Sequence, residues 1–190
     1  MHNLFILSSP REDGNSETMA KAVAAGISEN SDDTVEFVHL CELDISPCDA
    51  CGSCTASGSC IISDDMEILY EKTDSADRLF WVSPIYFYAL TAQIKIYIDR
   101  YQAIWARKYL LAIDHRTAES RTGHLLSCAA TKGNNLFTGP ELTIQCLCDT
   151  LDLQYGPSLL LRNLEARDSL QNLPEVLRSC KSFGQKLTIR

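Results

Sequence analysis

Residues 3–16 read NLFILSSPREDGNS, an apolar run followed by a polar, turn-forming loop. The run over residues 3–8 predicts a short buried strand that ends at the serine pair before Pro10. Beyond the loop, Met19, Val23 and Ile27 recur every four residues, which predicts a helix with one apolar face. The chain is therefore predicted to begin as strand, polar loop and helix.

The loop of this unit contains residue types that bind phosphate groups. Asn15 or Ser16 is predicted to cap the helix, and the free N–H groups and dipole of a helix N-terminus attract anions. Arg11 lies beside Ser9 in an acidic chain and supplies the forked cation that phosphate oxygens favour. A simple turn with a helix cap is the alternative interpretation of the same residues.

Further strand and helix signals alternate along the chain. The segment 34–40 has the alternation and β-branched residues expected of a second strand. Later strands are predicted at 78–82, 124–130 and 154–161, and helices from Asp64, over 90–101, from Pro140 and over 169–187. This order predicts an α/β fold with a parallel sheet covered on both faces. Ligands bind such sheets at the carboxyl ends of the strands, so we expect a site at the loops after strands one, three and four.

Four of the nine cysteines lie close together in the cysteine loop, residues 48–60: Cys48, Cys51, Cys54 and Cys60. Small residues fill the gaps of two, two and five positions, so the backbone can turn several thiols toward one centre. A disulfide framework is typical of small secreted domains, and zinc sites usually separate two Cys-x-x-Cys pairs by about a dozen residues. The compact spacing favours an iron-sulfur cluster over zinc, and both over thiols that bind nothing.

Size and charge limit the possible partners. A chain of 190 residues with 45% hydrophobic residues predicts one domain over residues 1–190. The net charge of −8 argues against nucleic acid or an acidic membrane surface as a partner. No run approaches the ~20 apolar residues of a membrane span, and the N-terminus lacks a signal-peptide pattern. We therefore expect a cytoplasmic protein whose cysteines are free thiols or metal ligands.

The chain resembles the flavodoxin-like NADPH-dependent FMN reductases over nearly its whole length. The motifs that carry the resemblance are Ser9-Pro10-Arg11-x-x-Gly14-Asn15-Ser16, Ser83-Pro84-x-Tyr86-Phe87, Lys95 and Ile98-Asp99-Arg100. The cysteine loop, followed by Asp64-Asp65-Met66, is similar to the iron-sulfur flavoprotein branch of that family. The resemblance implies a three-layer sandwich with a five-stranded parallel sheet in the order 2-1-3-4-5.

It also implies FMN as a cofactor and a 4Fe-4S cluster on Cys48, Cys51, Cys54 and Cys60. The residues implied to hold the FMN phosphate are Ser9, Arg11, Asn15 and Ser16. Those implied to lie along the isoalloxazine ring are Pro84, Ile85, Tyr86 and Phe87, with Thr131 at the other edge of the ring. Ser8 departs from the family pattern, in which many relatives have glycine; its side chain is expected to crowd the phosphate turn or to add a donor there.

Other reactive residues have simpler interpretations. The aromatic residues at 86–88 can also be read as core packing, as aromatics at strand ends usually are. The four histidines, His2, His39, His115 and His124, are scattered and are interpreted as structural. Four cysteines outside the loop are interpreted as small apolar residues: Cys128, Cys146, Cys148 and Cys180. Cys41, at a strand end near the loop, would be a redundant ligand. Motifs of serine hydrolases, P-loop NTPases and dinucleotide-fold dehydrogenases are absent from the sequence.

The resulting hypothesis is an FMN-dependent oxidoreductase that passes electrons between the flavin and the cluster. It needs no catalytic side chain, because the flavin carries the chemistry. The expected donor is NAD(P)H or ferredoxin, the expected acceptor is a small molecule such as a quinone, and the resemblance implies a homodimer or homotetramer. Two alternatives stay open: an NAD(P)H-dependent FMN or quinone reductase without a cluster, and a non-catalytic flavin electron carrier.

Overall fold

The computed structural model describes residues 1–113 and 120–189, so the predicted structural role of His115 lies outside the described residues. The strands are β1 (His2–Leu7), β2 (Thr34–His39), β3 (Arg78–Pro84), β4 (Thr122–Cys128), β5 (Gln154–Tyr155) and β6 (Leu159–Leu161). The α-helices are α1 (Asn15–Asn30), α2 (Cys54–Ser57), α3 (Met66–Ser75), α4 (Ala92–Arg100), α5 (Gln102–Ala106), α6 (Thr138–Thr150) and α7 (Pro174–Leu187). None of the described helices has the length and apolar character to cross a lipid bilayer.

The strands form one parallel sheet in the order β2-β1-β3-β4-β5, with β6 also paired to β4. This order confirms the predicted flavodoxin-like topology, to which the structure adds the sixth strand. The chain alternates strand and helix because each crossover between parallel strands needs a helix to return the chain to the same sheet edge.

Side chains of β1 show how the two faces of the sheet are covered. Leu4 and Ile6 face a core that includes residues of α3, α4 and α6, whereas Phe5 and Leu7 face a core built with α1 and α7. All four are at most 3% exposed, as expected for a strand with both faces buried. The sheet is therefore the middle layer of the predicted three-layer sandwich.

The prediction of a single fifth strand over residues 154–161 is wrong, because Gly156 and Pro157 separate β5 from β6. Proline has no N–H for the ladder. The imidazole of His124 also packs here, with Nδ1 2.9 Å from the Pro157 carbonyl oxygen. A Cβ on Gly156 would collide with that ring. Burial lowers the pKa of His124 to about 4, which agrees with a structural role for this residue.

Several helices begin or end at other residues than predicted. The last helix begins at Pro174, not at residue 169, because proline is tolerated only in the first turn of a helix. A separate 3₁₀ turn, Ser169–Asn172, precedes it. The helix predicted to begin at Pro140 begins two residues earlier, at Thr138. The helix predicted over residues 90–101 is α4, which is followed by α5 and a π-helical turn, Arg107–Leu111.

Helices α1 and α7 cross with their backbones in contact. Gly26 of α1 faces the carbonyl of Lys181, and Gly184 of α7 faces the carbonyl of Val23, so that a Cβ on either glycine would collide with the opposite backbone. This close approach lets α1 and α7 pack together on one face of the sheet.

We predict that Gly26→Ala destabilises the protein by about 3 kcal/mol, because the two helices must separate to admit the methyl group. Urea unfolding followed by circular dichroism measures the change. Gly139→Ala is the matched control, since its Cβ would meet nothing closer than 3.6 Å. Equal stability of the two variants would show that the helices separate without cost.

Candidate flavin and cysteine sites

Buried hydroxyl groups fix the carboxyl ends of β1, β3 and β4. The Ser8 hydroxyl donates to the Val82 carbonyl at 3.0 Å, and the Ser127 hydroxyl donates to the Ser83 carbonyl at 2.7 Å. The Thr91 hydroxyl in turn donates to the Ser8 carbonyl at 3.2 Å. Ser8 is fully buried and points into the sheet. The expectation that Ser8 crowds the phosphate turn or adds a donor to it is therefore wrong.

Helix α1 begins without a side-chain cap. Its N-cap is Gly14, so the prediction that Asn15 or Ser16 caps the helix is wrong. In the preceding turn the Ser9 hydroxyl accepts a hydrogen bond from the Arg11 N–H at 3.1 Å. The first-turn amides, uncapped by any side chain, point toward the loop as an anion site requires.

The Asn15 side chain leaves its own helix and holds a distant segment. Its Nδ2 donates to the carbonyls of Leu164 at 3.3 Å and Ala166 at 2.7 Å, and its Oδ1 accepts from the Leu170 N–H at 2.8 Å. These bonds occupy the amide group, so a ligand in the loop would meet the backbone N–H of Asn15.

A cavity of about 210 Å³ lies between this loop and the ends of β3 and β4. Seven of the nine predicted flavin-site residues line it: Ser9, Arg11, Asn15, Ser16, Pro84, Ile85 and Tyr86. Ser16 is buried and Arg11 is exposed, and the Arg11 guanidinium pairs with no carboxylate among the described residues. Drug-sized ligands usually occupy pockets of about 300 Å³ or more, so this cavity has room for only part of such a ligand.

Phe87 and Thr131 lie outside this cavity, although both are exposed on neighbouring loops. Phe87 is at the tip of the aromatic turn, residues 86–89, which is closed by two hydrogen bonds of 3.0 Å between Tyr86 and Ala89. Phe87 and Tyr88 have φ angles of 50° and 62°, a left-handed backbone that costs non-glycine residues roughly 1 kcal/mol or more each.

All three aromatic side chains of this turn are exposed, so their interpretation as core packing is wrong. Tyr88 packs against the loop after β4. Its hydroxyl lies 2.5 Å from the position that a Cβ on Gly133 would take. The strained turn therefore presents apolar rings beside the cavity. A planar apolar ligand needs such a wall.

The thiols of Cys48, Cys51, Cys54 and Cys60 share a second cavity, of about 390 Å³. Left-handed residues at Ala50, Gly52 and Gly58 bend the loop around it. Burial and, to a lesser extent, the neighbouring thiolates raise the pKa of Cys54. Within residues 1–113 and 120–189, no three His, Cys, Asp or Glu side chains converge closely enough to hold a metal ion. The donor set fits a cluster, but the thiols surround a cavity rather than a point.

Arg100 binds both ends of the segment 46–64, which contains the cysteine loop. Its Nη1 donates to Asp64 at 2.5 Å and to the Ser46 carbonyl at 2.8 Å, and its Nη2 donates to the Ile62 carbonyl at 3.0 Å. Arg100 is 1% exposed and lines the cysteine cavity. Burial raises the pKa of the Asp64 carboxyl, but the Arg100 hydrogen bond and two backbone N–H groups outweigh it and lower that pKa overall.

Arg107, seven residues later, donates from Nε to the Gly58 carbonyl at 2.6 Å. Its Cγ lies only 2.7 Å from the position that a Cβ on Gly58 would take, so glycine is needed there for space as well as for its φ of 70°. Neither arginine is predicted from the sequence to hold the cysteine loop. Arg100 belongs to the family motif Ile98-Asp99-Arg100, and its spacing of seven from Arg107 places two cations on one face of a helical segment.

Cys41 lies outside the cysteine cavity, with its Sγ 3.8 Å from the Ser8 carbonyl oxygen. Of the other cysteines, Cys128, Cys148 and Cys180 are buried as predicted, whereas Cys146 is exposed on α6. Burial raises the pKa of the Cys128 thiol to about 12. None of these five cysteines lines the cysteine cavity.

The sequence pattern of the NADPH-dependent FMN reductases matches residues 1–133. The chain belongs to this family. It is 41% identical over 100 residues to an iron-sulfur flavoprotein of Archaeoglobus fulgidus, and this alignment covers 53% of the chain but only 45% of that relative. Another iron-sulfur flavoprotein, from Methanosarcina thermophila, is 29% identical over 148 residues, covering 78% of this chain and 71% of the relative.

A solved NAD(P)H:quinone oxidoreductase from Methanothermobacter marburgensis has the same fold. The two structures superpose with a TM-score of 0.74 over 100% of this chain and 97% of the other, at 15% sequence identity. The parallel sheet and its flanking helices are therefore those of flavodoxin-like proteins.

We predict that Arg100→Gln destabilises the protein by about 3 kcal/mol, because it leaves the buried Asp64 carboxylate without its partner. Lys95→Gln on the same helix is the control. Its ion pair with Asp99 is exposed, and loss of such a pair changes stability by about 1 kcal/mol or less. Urea unfolding gives both values, and equal effects would contradict the special role of Arg100.

Proposed function

We propose that this protein is an FMN-dependent oxidoreductase in which electrons pass between FMN and a 4Fe-4S cluster held by the cysteine loop. The observation that carries the proposal is a cavity lined by four cysteine thiols in a chain of the FMN reductase family. The relatives named iron-sulfur flavoprotein support the same combination.

The cavity between the loop before α1 and the ends of β3 and β4 is called the phosphate cavity below. It would hold FMN through groups of different chemistry. Arg11, the Ser9 and Ser16 hydroxyls and the backbone N–H of Asn15 would bind the phosphate. The residues that would lie along the ring are Pro84, Ile85, Tyr86 and Phe87, with Thr131 at its other edge. When bound, FMN supplies two-electron chemistry with release of single electrons, and a cluster carries one electron at a time.

The side chains of this chain orient and shield the reactants in this proposal. None needs to act as a general acid or base, so no catalytic side chain is assigned. Cys48, Cys51, Cys54 and Cys60 would ligate the cluster as thiolates, while Arg100 and Arg107 hold the backbone from which these thiols project. Arg100 also lines the cavity in which four thiolates would place negative charge.

The proposed electron donor is NAD(P)H or ferredoxin, and the proposed acceptor is a small molecule such as a quinone. We further propose that the protein works in the cytoplasm as a homodimer or homotetramer. The net charge of −8 supports a partner other than nucleic acid.

A flavin reductase without a cluster is a second candidate. It is favoured by the spread of the thiols, since no described group of three or more ligands converges on one metal position. The metal content of the purified protein distinguishes the two candidates.

We predict that protein purified without oxygen is brown and contains iron and acid-labile sulfide in equal amounts, with zinc absent. Cys54→Ser should lose the iron and keep the yellow flavin, because it removes one of the four thiolates. Cys146→Ser, an exposed cysteine outside the loop, should keep both and serves as the control. Zinc in the wild-type protein, or flavin with no metal after reconstitution, would support the second candidate.

We also predict that Arg11→Ala weakens FMN binding by about 2 kcal/mol, the contribution of a hydrogen bond to a charged group. Fluorescence titration of the flavin-free chain measures the dissociation constant. Arg178→Ala, an exposed arginine on α7, should leave it unchanged. Wild-type affinity in the Arg11 variant would remove this residue from the site.

A further inference from the structure

The strap, residues 162–171, follows β6. It lies against the loop between β1 and α1, residues 8–14, which is called the phosphate loop below. Three hydrogen bonds join it to the Asn15 side chain, and Gln171 adds a fourth from its Nε2 to the Asp13 carbonyl at 3.1 Å. The strap lies beyond residues 1–133, which match the family pattern. The family pattern therefore says nothing about its contribution to the site.

Arg167 is the cation that the strap brings to the phosphate cavity. Its Nε donates to the Glu12 carbonyl at 3.1 Å, and its Nη2 donates to the same oxygen. Arg167 lines the cavity together with Arg11, and its Nη1 makes no hydrogen bond to any described residue. One edge of the guanidinium is thus fixed by the loop, which leaves donors on the other edge for a ligand.

Charge in the cavity makes this second arginine significant. The cavity is lined by the side chains of Arg11, Arg167 and Glu165, which together carry one net positive charge. A phosphate monoester carries roughly −1.5 to −2 charges at neutral pH. Without Arg167, the charges of Arg11 and Glu165 would cancel, and the phosphate would be bound only by the α1 amides and the neighbouring hydroxyls.

We propose that Arg167 is a second phosphate-binding residue and that it makes the site select FMN over riboflavin, which has the same ring but no phosphate. The inference rests on the proposed function, in which this cavity holds the FMN phosphate. A purely structural alternative is that Arg167 only clamps the Glu12 carbonyl and shapes the loop for any flavin.

The test compares dissociation constants for FMN and riboflavin, measured by flavin fluorescence on the full chain freed of flavin. The variants are Arg167→Gln, Arg167→Lys and the control Arg162→Gln. Arg162 belongs to the same strap, but its guanidinium packs over the Phe137 ring at 5.5 Å and does not line the cavity. Thermal unfolding of each variant checks that the fold is kept.

Arg167→Gln should weaken FMN binding about tenfold or more and leave riboflavin binding unchanged. It should also reduce the salt dependence of FMN binding, because a charge contact is lost. Arg167→Lys should keep most of the preference for FMN, since it keeps the charge. Arg162→Gln should bind both flavins as the wild type does.

Equal weakening of FMN and riboflavin by Arg167→Gln would overturn the inference in favour of the structural clamp. Unchanged FMN binding in that variant, with a wild type that strongly prefers FMN, would overturn it while leaving the phosphate site intact. A wild type that binds riboflavin as tightly as FMN would instead overturn the proposed phosphate site itself.

Discussion

The buried ion pair between Arg100 and Asp64 is the contact on which the cysteine loop depends. Two charges removed from water are stable together only when further hydrogen bonds satisfy most of their polar atoms. Arg100 gains two such bonds from the Ser46 and Ile62 carbonyls, whereas its buried Nε has no partner among the described residues. The pair thereby ties both ends of the segment 46–64 to α4, a helix whose position is fixed by the sheet. Loss of either charge would release the loop and leave the other charge buried.

Local sequence patterns predicted most of the fold because the patterns of neighbouring segments agree on one arrangement of strands and helices. Continuous apolar runs marked β1 and β3, since a parallel sheet buries both faces, and alternation with helices then left few possible topologies. One failure arose where a local turn signal interrupts a run of strand residues. The segment 154–161 contains the Gly156-Pro157 pair, and Pro157 cannot join the ladder, while the His124 ring occupies the space beside Gly156.

The residues that line the candidate cavity could be predicted only where they are neighbours in sequence. Ser9, Arg11 and Ser16 could be read from one loop, and the four loop cysteines from their spacing. Asn15 was assigned to the phosphate, yet its side chain is used by a segment about 150 residues away. Arg167 reaches the same cavity from that segment, and nothing local in the sequence relates it to Glu12. Contacts between distant segments depend on the folded arrangement of the layers, which no short pattern contains.

The two cavities differ in how completely the protein chain builds them. The phosphate cavity has walls from β3, β4, α1 and the strap, and hydrogen bonds of the Asn15 side chain join α1 to the strap. The cysteine loop is held at its ends and at Gly58, while Cys48 and Cys51 are exposed and no three ligands among the described residues converge on one position. Ligands that are spread apart must be drawn together by the metal, so part of the binding free energy of a cluster would order the loop. Flavin binding should therefore depend little on the cysteine loop, whereas cluster binding should depend on the arginines that limit how far the thiols can spread.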